Sequence, residues 1–522
     1  EWREYSYRMV SRQLVGPSRW NELILGLNEA GEVWIDDLVV VETNGSASSL
    51  IPNGDFESGA DHWRILGTHR HSEVIADPDQ PGNNILRLVA TGPSEHMHNH
   101  LETTLVGNTR IVDGREYEVS FRARWIKGGR RLNTRLYFNR VARTTLLEVP
   151  ALAGTPGAPN SILESNIGPT FHDFGHAPVV PISGEPVQVE AVVSDPDGVS
   201  GATLWWGVDG QPPAPMAMSA VGSNELPGRV RFRATVPGQT AGRTIQFFVE
   251  AEDDLGATAH FPAAGPSSRA LWRVDDGRAR SGPLHNFRFI MLPQDVTLLH
   301  EDTNVMSNDR LGTTIVYRER EVYYDVGTKL KGSQRGRPGG ARVSFSVQFH
   351  RDRPFRGVHR TVALDRSGGW GIGAGPTSQE EIFSKHILAQ SGLPAPHDDL
   401  CFVIAPRSAQ DEVAILMMSR YSSNFLDGLV ENGGDGTTHK LELIYYPTTT
   451  VNGLPDGLKR PQPDEVLGTD FRDLGDDPEP YRWNFLLENN EDRDDFGPLM
   501  ELAKTLGLPA GAEFESRIQN IL

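Results

Sequence analysis

Along most of this chain hydrophobic and polar residues alternate with a period of two, the spacing of strands that bury one face. The runs Glu22-Leu-Ile-Leu-Gly-Leu27 and Glu32-Val-Trp-Ile-Asp-Asp-Leu-Val-Val-Val41 read as strands joined by a turn at 28–31. The same alternation predicts strands at 85–90, 116–125 and 132–138, then at 187–193, 202–206, 229–236 and 244–251. Ser194-Asp-Pro-Asp-Gly198 and Asp253-Asp-Leu-Gly256 supply turn chemistry between members of the last group. From about residue 284 the texture changes. Strands are expected at 313–317, 322–330 and 343–349, and a helix over 378–390. Ser378 and the acids Glu380 and Glu381 begin that helix, while Gly392 and Leu393-Pro-Ala-Pro396 stop it. Strands at 400–404 and 413–418 follow.

Composition sets the scale. A chain of 522 residues with 54 Gly and 36 Pro is too long for one core and is built of short elements. Gly45-Ser-Ala-Ser-Ser49 and Leu152-Ala-Gly-Thr-Pro-Gly-Ala-Pro-Asn-Ser161 read as linkers. Residues 1–43 hold too few strands to cover their own faces, so they read as the end of a β-sandwich. Residues 46–150 read as a second, complete sandwich, 151–164 as a linker, 165–275 as a third sandwich and 284–522 as a larger α+β lobe. Glu1 falls in mid-pattern, so the sequence is expected to be a piece of a longer chain. The net charge of −19 argues against nucleic acid or an anionic membrane as a general partner, and no run reaches the ~20 apolar residues of a membrane span. The single cysteine, Cys401, lies in an apolar run and is expected to be a buried, inert thiol.

Candidate chemistry concentrates at 326–349, in the loop after Val326-Gly-Thr-Lys-Leu-Lys-Gly-Ser333. Glycines at 332, 336, 339 and 340 let backbone amides approach a ligand, and Lys329, Lys331, Arg335, Arg337 and Arg342 surround them with positive charge. Gly332, Ser333, Arg335, Arg337 and Arg342 are therefore candidate contacts for a phosphate. Alternation puts Lys329 and Lys331 on one face, so either can supply the cation. His69, His71, His96, His98 and His100 are spaced as a chelator would be, but loop or hydrogen-bonded histidines are the expectation, with zinc or copper as the alternative.

Three resemblances sharpen this reading. Gly31-Glu-Val-Trp-Ile-Asp-Asp-Leu38, and Asn53-Gly-Asp-Phe-Glu57 followed by Trp63, resemble parts of jelly-roll carbohydrate-binding modules. The resemblance implies a structural calcium near Asp36 or Asp37, with a solvated Asp pair as the alternative, and a glycan partner for 46–150. Residues 165–275, with Phe248-Val-Glu-Ala-Glu-Asp-Asp-Leu-Gly256, resemble bacterial immunoglobulin- or fibronectin-like spacers. The region 290–522 resembles the spore-coat CotH family of protein-kinase-like enzymes. Val326-Gly-Thr-Lys-Leu-Lys-Gly-Ser333, the strand at 342–349, the helix around Glu381 and Gly392-Leu-Pro-Ala-Pro396 carry that resemblance, with Asp435-Gly436, Lys440 and Tyr445-Tyr-Pro447.

The fold class expected is thus multidomain: jelly-roll-like and immunoglobulin-like all-β sandwiches followed by an α+β protein-kinase-like domain, incomplete at its C-terminus. The CotH resemblance implies an exported or cell-surface protein that transfers phosphate from ATP, with Mg2+, to Ser/Thr hydroxyls of a protein. It also implies a catalytic role for Lys329 or Lys331 with Glu381, Glu380 being the fallback acid. The metal ligands and base of that family would lie beyond Leu522, so the piece alone is expected to be inactive. Arg342 and Ser419 depart from the family pattern, which leaves a non-catalytic surface or glycan-binding protein as the alternative. His350-Arg-Asp352 and Asp495-Phe-Gly497 spell kinase motifs but stand too far apart, so they are expected to be a turn and a helix start.

Overall fold

The structure is a computed structural model that describes residues 1–12, 21–45, 48–95, 98–137, 140–150, 157, 159–160, 163–221, 228–302, 304–332, 336–337, 343–366, 379–421, 423–441, 444–446, 449–460, 465–467 and 471–521. The chain divides into two compact units, one made of 1–153, 302–309 and 422–522, the other of 154–301 and 310–421.

In the first unit, ten strands form one sandwich: β1 (Arg3–Val10), β2 (Glu22–Leu27), β3 (Gly31–Glu42), β4 (Trp63–Ile65), β5 (Glu73–Ala76), β6 (Asn84–Ala90), β7 (Leu101–Thr104), β8 (Glu116–Gly128), β9 (Arg131–Leu136) and β10 (Val141–Leu146). One sheet runs β1-β8-β3-β6-β5 and the other β10-β9-β2-β7-β4. Period-two alternation explains the packing, since Leu23, Leu25 and Leu27 of β2 and Val33 and Ile35 of β3 point into one shared core. Residues 1–43 are therefore not the end of a separate module. They interleave with the strands of 46–150. Past the Ser-rich stretch the chain lies back against β3 in the same sandwich, so no interdomain boundary falls there: Leu50 N donates to Val40 O at 2.7 Å, and Leu38 N donates to Gly54 O at 2.9 Å.

Gly67 fixes another turn of this sandwich. Its φ is +59°, and a Cβ there would lie 1.6 Å from His98 O. Left-handed strain and overlap with backbone add, so Gly67→Ala is expected to destabilise the first unit by about 2–4 kcal/mol in urea unfolding.

The second unit begins with nine strands: β11 (Thr170–Ala177), β12 (Val187–Ser194), β13 (Val199–Val208), β14 (Ala214–Ala217), β15 (Ser219–Ala220), β16 (Arg229–Val236), β17 (Thr244–Asp253), β18 (Thr258–Phe261) and β19 (Leu271–Arg273). Their sheets run β11-β12-β16-β15 and β14-β13-β17-β18, with β19 on β17. The turn at 194–198 forms as expected, Asp195 Oδ1 accepting from Asp197 N at 2.9 Å.

The unit continues into β20 (His285–Ile290), β21 (Leu311–Tyr317), β22 (Glu321–Lys331), β23 (Ser344–Gln348), β24 (Thr361–Asp365), β25 (Asp398–Ile404) and β26 (Glu412–Ser419). These seven close a barrel in the order β20-β21-β22-β23-β24-β26-β25, parallel only where β20 meets β25. Helix α1 (Pro293–Leu299) follows β20, and α2 (Gln379–Gln390) precedes β25. Gly392, at φ +76°, ends α2 as the sequence predicts. Val316, Val322 and Tyr324 of the barrel share a core with Phe247 and Trp272 of the sandwich, so the immunoglobulin-like part is fused to the barrel rather than a detached spacer.

Residues 422–522 do not continue that barrel. They return to the first unit as α3 (Ser423–Asp427), β27 (His439–Leu441), β28 (Ile444–Tyr446), β29 (Glu465–Leu467), α4 (Glu479–Asn484), β30 (Phe485–Leu487), α5 (Gly497–Leu506) and α6 (Ala512–Ile521). The single lobe expected over 284–522 is thus divided at 421–422, and 302–309 also joins the first unit. His350-Arg-Asp352 lies in the connection between β23 and β24, and Asp495 Oδ1 accepts from Gly497 N at 3.2 Å where α5 starts. No helix among the described residues is long and apolar enough to cross a membrane.

Candidate functional site

Strand β22 alternates as its sequence requires: Val326, Thr328 and Leu330 are buried, and Lys329 and Lys331 are half-buried on the other face. Lys331 pairs across β23 with Ser344 and reaches over that strand to form an ion pair with Asp365, at the end of β24. Ser344 Oγ lies 3.4 Å from Asp365 Oδ1 and accepts from Arg366 N at 3.1 Å. Lys329 stands opposite Ser346, one step along the same face. Beyond the strand, Gly332 adopts φ +110° with no described residue within 4 Å of where a Cβ would stand, and its carbonyl accepts from Arg337 Nε at 2.9 Å. Ser333, Arg335 and Arg342 lie outside the described residues.

The structure does not join Glu381 to either lysine. Glu381 pairs with Lys385 one turn along α2 at 2.7 Å, and Lys385 also meets Asp398 at 3.1 Å. Burial alone would lower the Lys385 ammonium, but the two carboxylates raise it. The spacing of four residues on one helix satisfies Glu381 locally, whereas Lys331 meets a closer acid on the barrel. Asp365 is the partner that the sequence reading missed.

Asp36 and Asp37 sit at a bulge in β3, where Asp37 takes φ +52°. Asp36 accepts from Asp37 N at 2.8 Å and from Asn83 Nδ2 at 3.1 Å, and burial raises its pKa. The cation beside both acids is Arg122, at 3.6 Å from Asp36 and 3.3 Å from Asp37. Among the described residues no three His, Cys, Asp or Glu side chains are grouped to hold a metal.

The most heavily charged interior lies elsewhere, on the outer face of sheet β10-β9-β2-β7-β4. Glu22 and Glu102 are each 1% exposed, and Lys459, 4% exposed, bonds both, with Glu102 at 2.9 Å. Arg64 meets the same carboxylates, Glu102 at 2.7 Å and Glu22 at 3.2 Å. His100 Nε2 lies 3.1 Å from Glu102, and the Lys459 ammonium stands 4.1 Å from the centre of the Tyr137 ring. Burial and the neighbouring Glu102 raise Glu22. Burial also works to raise Glu102, but Lys459 and Arg64 hold it well below its ordinary value. Further along the face, Glu479 of α4 accepts from Thr144 N at 2.6 Å, and Arg135 lies over Trp483.

The histidines of 69–100 are hydrogen-bonded where they are described. His69 Nε2 accepts from Leu27 N at 2.9 Å, and His98 Nε2 meets Lys459 O at 3.1 Å; His96 lies outside the described residues. Trp63 packs in the core beside Phe56, and Arg122 and Arg124 cover Trp2 and Trp34. In the second unit a groove of about 500 Å3 opens beside His176, Tyr324 and Arg353.

No protein-family model and no curated protein matches the chain. Among solved structures, part of it is similar to a cycloalternan-forming enzyme from Listeria monocytogenes in complex with a pentasaccharide substrate, at 11% identity and TM-score 0.16, over 38% of this chain and 17% of that one. Another is an uncharacterized protein from Listeria monocytogenes EGD-e in complex with glucose, magnesium and calcium, at 13% identity and TM-score 0.15, over 34% and 14%. A third is the twitchin kinase region of C. elegans, at 12% identity and TM-score 0.16, over 47% and 39%. The chain thus spans less than half of each of these proteins, and likeness at such scores carries no argument about fold or activity.

Proposed function

We propose that strands β22 to β26 with α2 are the nucleotide-facing half of a CotH-like atypical protein kinase, exported or displayed at a surface. The observation that carries the reading is the strand order β22-β23-β24-β26-β25 with one helix inserted between β24 and β25. Five such strands with a helix before the fourth form the N-lobe arrangement of protein kinases. There a lysine on the third strand, held by an acid, meets the nucleotide phosphates.

In this chain the third strand ends in Val362-Ala-Leu-Asp365, with an acid where that lysine would stand. The cation comes from the first strand as Lys331, and Asp365 holds it as a helix glutamate would. Lys331 and Arg337, on either side of the left-handed Gly332, supply the positive charge a phosphate needs. The ligand is then ATP carrying its Mg2+, which would supply the charge neutralisation of phosphoryl transfer to a protein hydroxyl. Lys331→Ala is expected to weaken binding of a fluorescent ATP analogue by the full chain at least about 10-fold, as loss of one charge-assisted contact would. Asp365→Asn, which leaves Lys331 charged but unheld, should have a smaller effect. Unchanged affinity in Lys331→Ala would remove the nucleotide assignment.

A further inference from the structure

The segment 449–460 is a closed hairpin. Thr450 and Lys459 form a bridge, Val451 N donates to Leu458 O at 2.8 Å, and Arg460 N donates to Thr449 O at 3.1 Å. Two of its apolar side chains take no part in docking it, since Val451 is 48% and Leu454 56% exposed. The Lys459 side chain enters the sandwich. Hydrogen bonds from the sandwich to backbone carbonyls of the hairpin add to this: Arg64 to Asp456 O at 3.0 Å, Thr104 Oγ1 to Pro455 O at 3.2 Å, and His98 Nε2 to Lys459 O at 3.1 Å. Carbonyls are common to every peptide. The sequence-specific part of this contact is thus the Lys459 ammonium, with the Asp456 carboxylate acting on Arg64 beside it.

The receptor is built for that group. Ile24 pairs directly with Glu102, and Glu102 with Arg64, so β2, β7 and β4 present Glu22, Glu102 and Arg64 on one face. Tyr137 adds its ring beside the ammonium. Arg64 balances one of the two carboxylate charges, which leaves the cage one positive charge short without an ammonium. The face also carries buried polar atoms with no hydrogen-bond partner among the described residues, His98 Nδ1, Asn133 Oδ1 and Arg135 Nε, on residues 2%, 4% and 7% exposed. The cover from 422–522 therefore leaves part of the face unmatched.

We propose that Glu22, Glu102 and the Tyr137 ring form a recognition site for the lysine of a peptide segment, and that Lys459 is its resident, displaceable ligand. The hairpin then acts as a cap in cis, and the partner class is a lysine-bearing peptide that offers free carbonyls to Arg64, Thr104 and His98. The site is in the first unit and stands independently of the nucleotide reading. The test uses the full chain with Lys459→Ala and n-butylammonium chloride as probe, against equal sodium chloride and against n-butanol. Saturable stabilisation by the ammonium alone, a rise in Tm of about 2–4 °C that the Glu102→Gln/Lys459→Ala variant lacks, is expected. A folded Lys459→Ala chain without that rise overturns the proposal. Should the variant not fold, deuterium uptake at 449–460 in the unmodified chain decides. The probe is used above the millimolar effective concentration of a tethered group. Faster uptake than in equal sodium chloride supports displacement, and identical uptake overturns it.

Discussion

Lys459→Met is expected to destabilise the first unit by about 3–5 kcal/mol, read as a lower urea midpoint. Methionine keeps most of the apolar stem, so the loss isolates the charge. With the ammonium gone, Arg64 is the one full positive charge left beside Glu22 and Glu102, each 1% exposed, and His100 Nε2 remains within 3.1 Å of Glu102. An unpaired buried carboxylate costs more than the pair contributes when complete, which is why removing one partner is so much worse than replacing the set. The double variant Lys459→Met/Glu22→Gln restores neutrality and should recover much of the loss. A midpoint for Lys459→Met equal to that of the unmodified chain would mean that the cluster is not desolvated as described.

Acidification is expected to be the second large effect, and its sign follows from burial. His69 is held down to about 3, His98 to about 4 and His176 to about 4, in each case first by burial. Folded pKa values below the ordinary 6.5 mean that the unfolded chain takes up these protons first. Stability from all three is therefore complete above about pH 6.5 and is lost as pH falls from there toward 4. Each contributes up to about 1.4 kcal/mol per pH unit in that window. Glu22 works in the opposite direction, because its raised folded pKa makes the folded state gain as pH falls toward the carboxylate range, so it offsets part of the loss in the first unit. Urea midpoints at pH 7 and pH 5 should differ in both units, since His176 lies in the second. Equal midpoints at the two pH values would contradict the buried neutral state of these rings.

Local features were legible in the sequence because their causes are local. Alternation located β3, β8, β12 and β17 within a few residues, Gly392 bounded α2 at its C-terminus, and Asp195 announced its own turn, while Ser378 lies outside the described residues. The apolar run around Cys401 read correctly as interior: the residue is buried, and burial raises its thiol. Assembly was not legible, because no local pattern says which strand edge a segment will join. The Ser-rich stretch near 45–49 has the composition of a linker, yet Leu50 just after it bonds back to Val40 of β3. Glu381 looked like the partner of a β22 lysine because it begins a helix, but Lys385, four residues on, was nearer. Asp365 and Lys459 each owe their place to a neighbour remote in sequence, 34 residues away for the Lys331 pair and 437 for the Glu22 pair.

The order in which the first unit is written along the chain has a consequence for its synthesis. Its sandwich is finished by residue 150, but the ammonium that neutralises its polar face is the side chain of residue 459. At roughly 5–20 residues per second, the ribosome needs some tens of seconds to make the intervening stretch. Throughout that interval the sandwich must fold with two carboxylates and one guanidinium in contact with water, and bury them only when the hairpin arrives. The last step of folding is then a desolvation step, slower and more sensitive to salt than the collapse of the core beneath it.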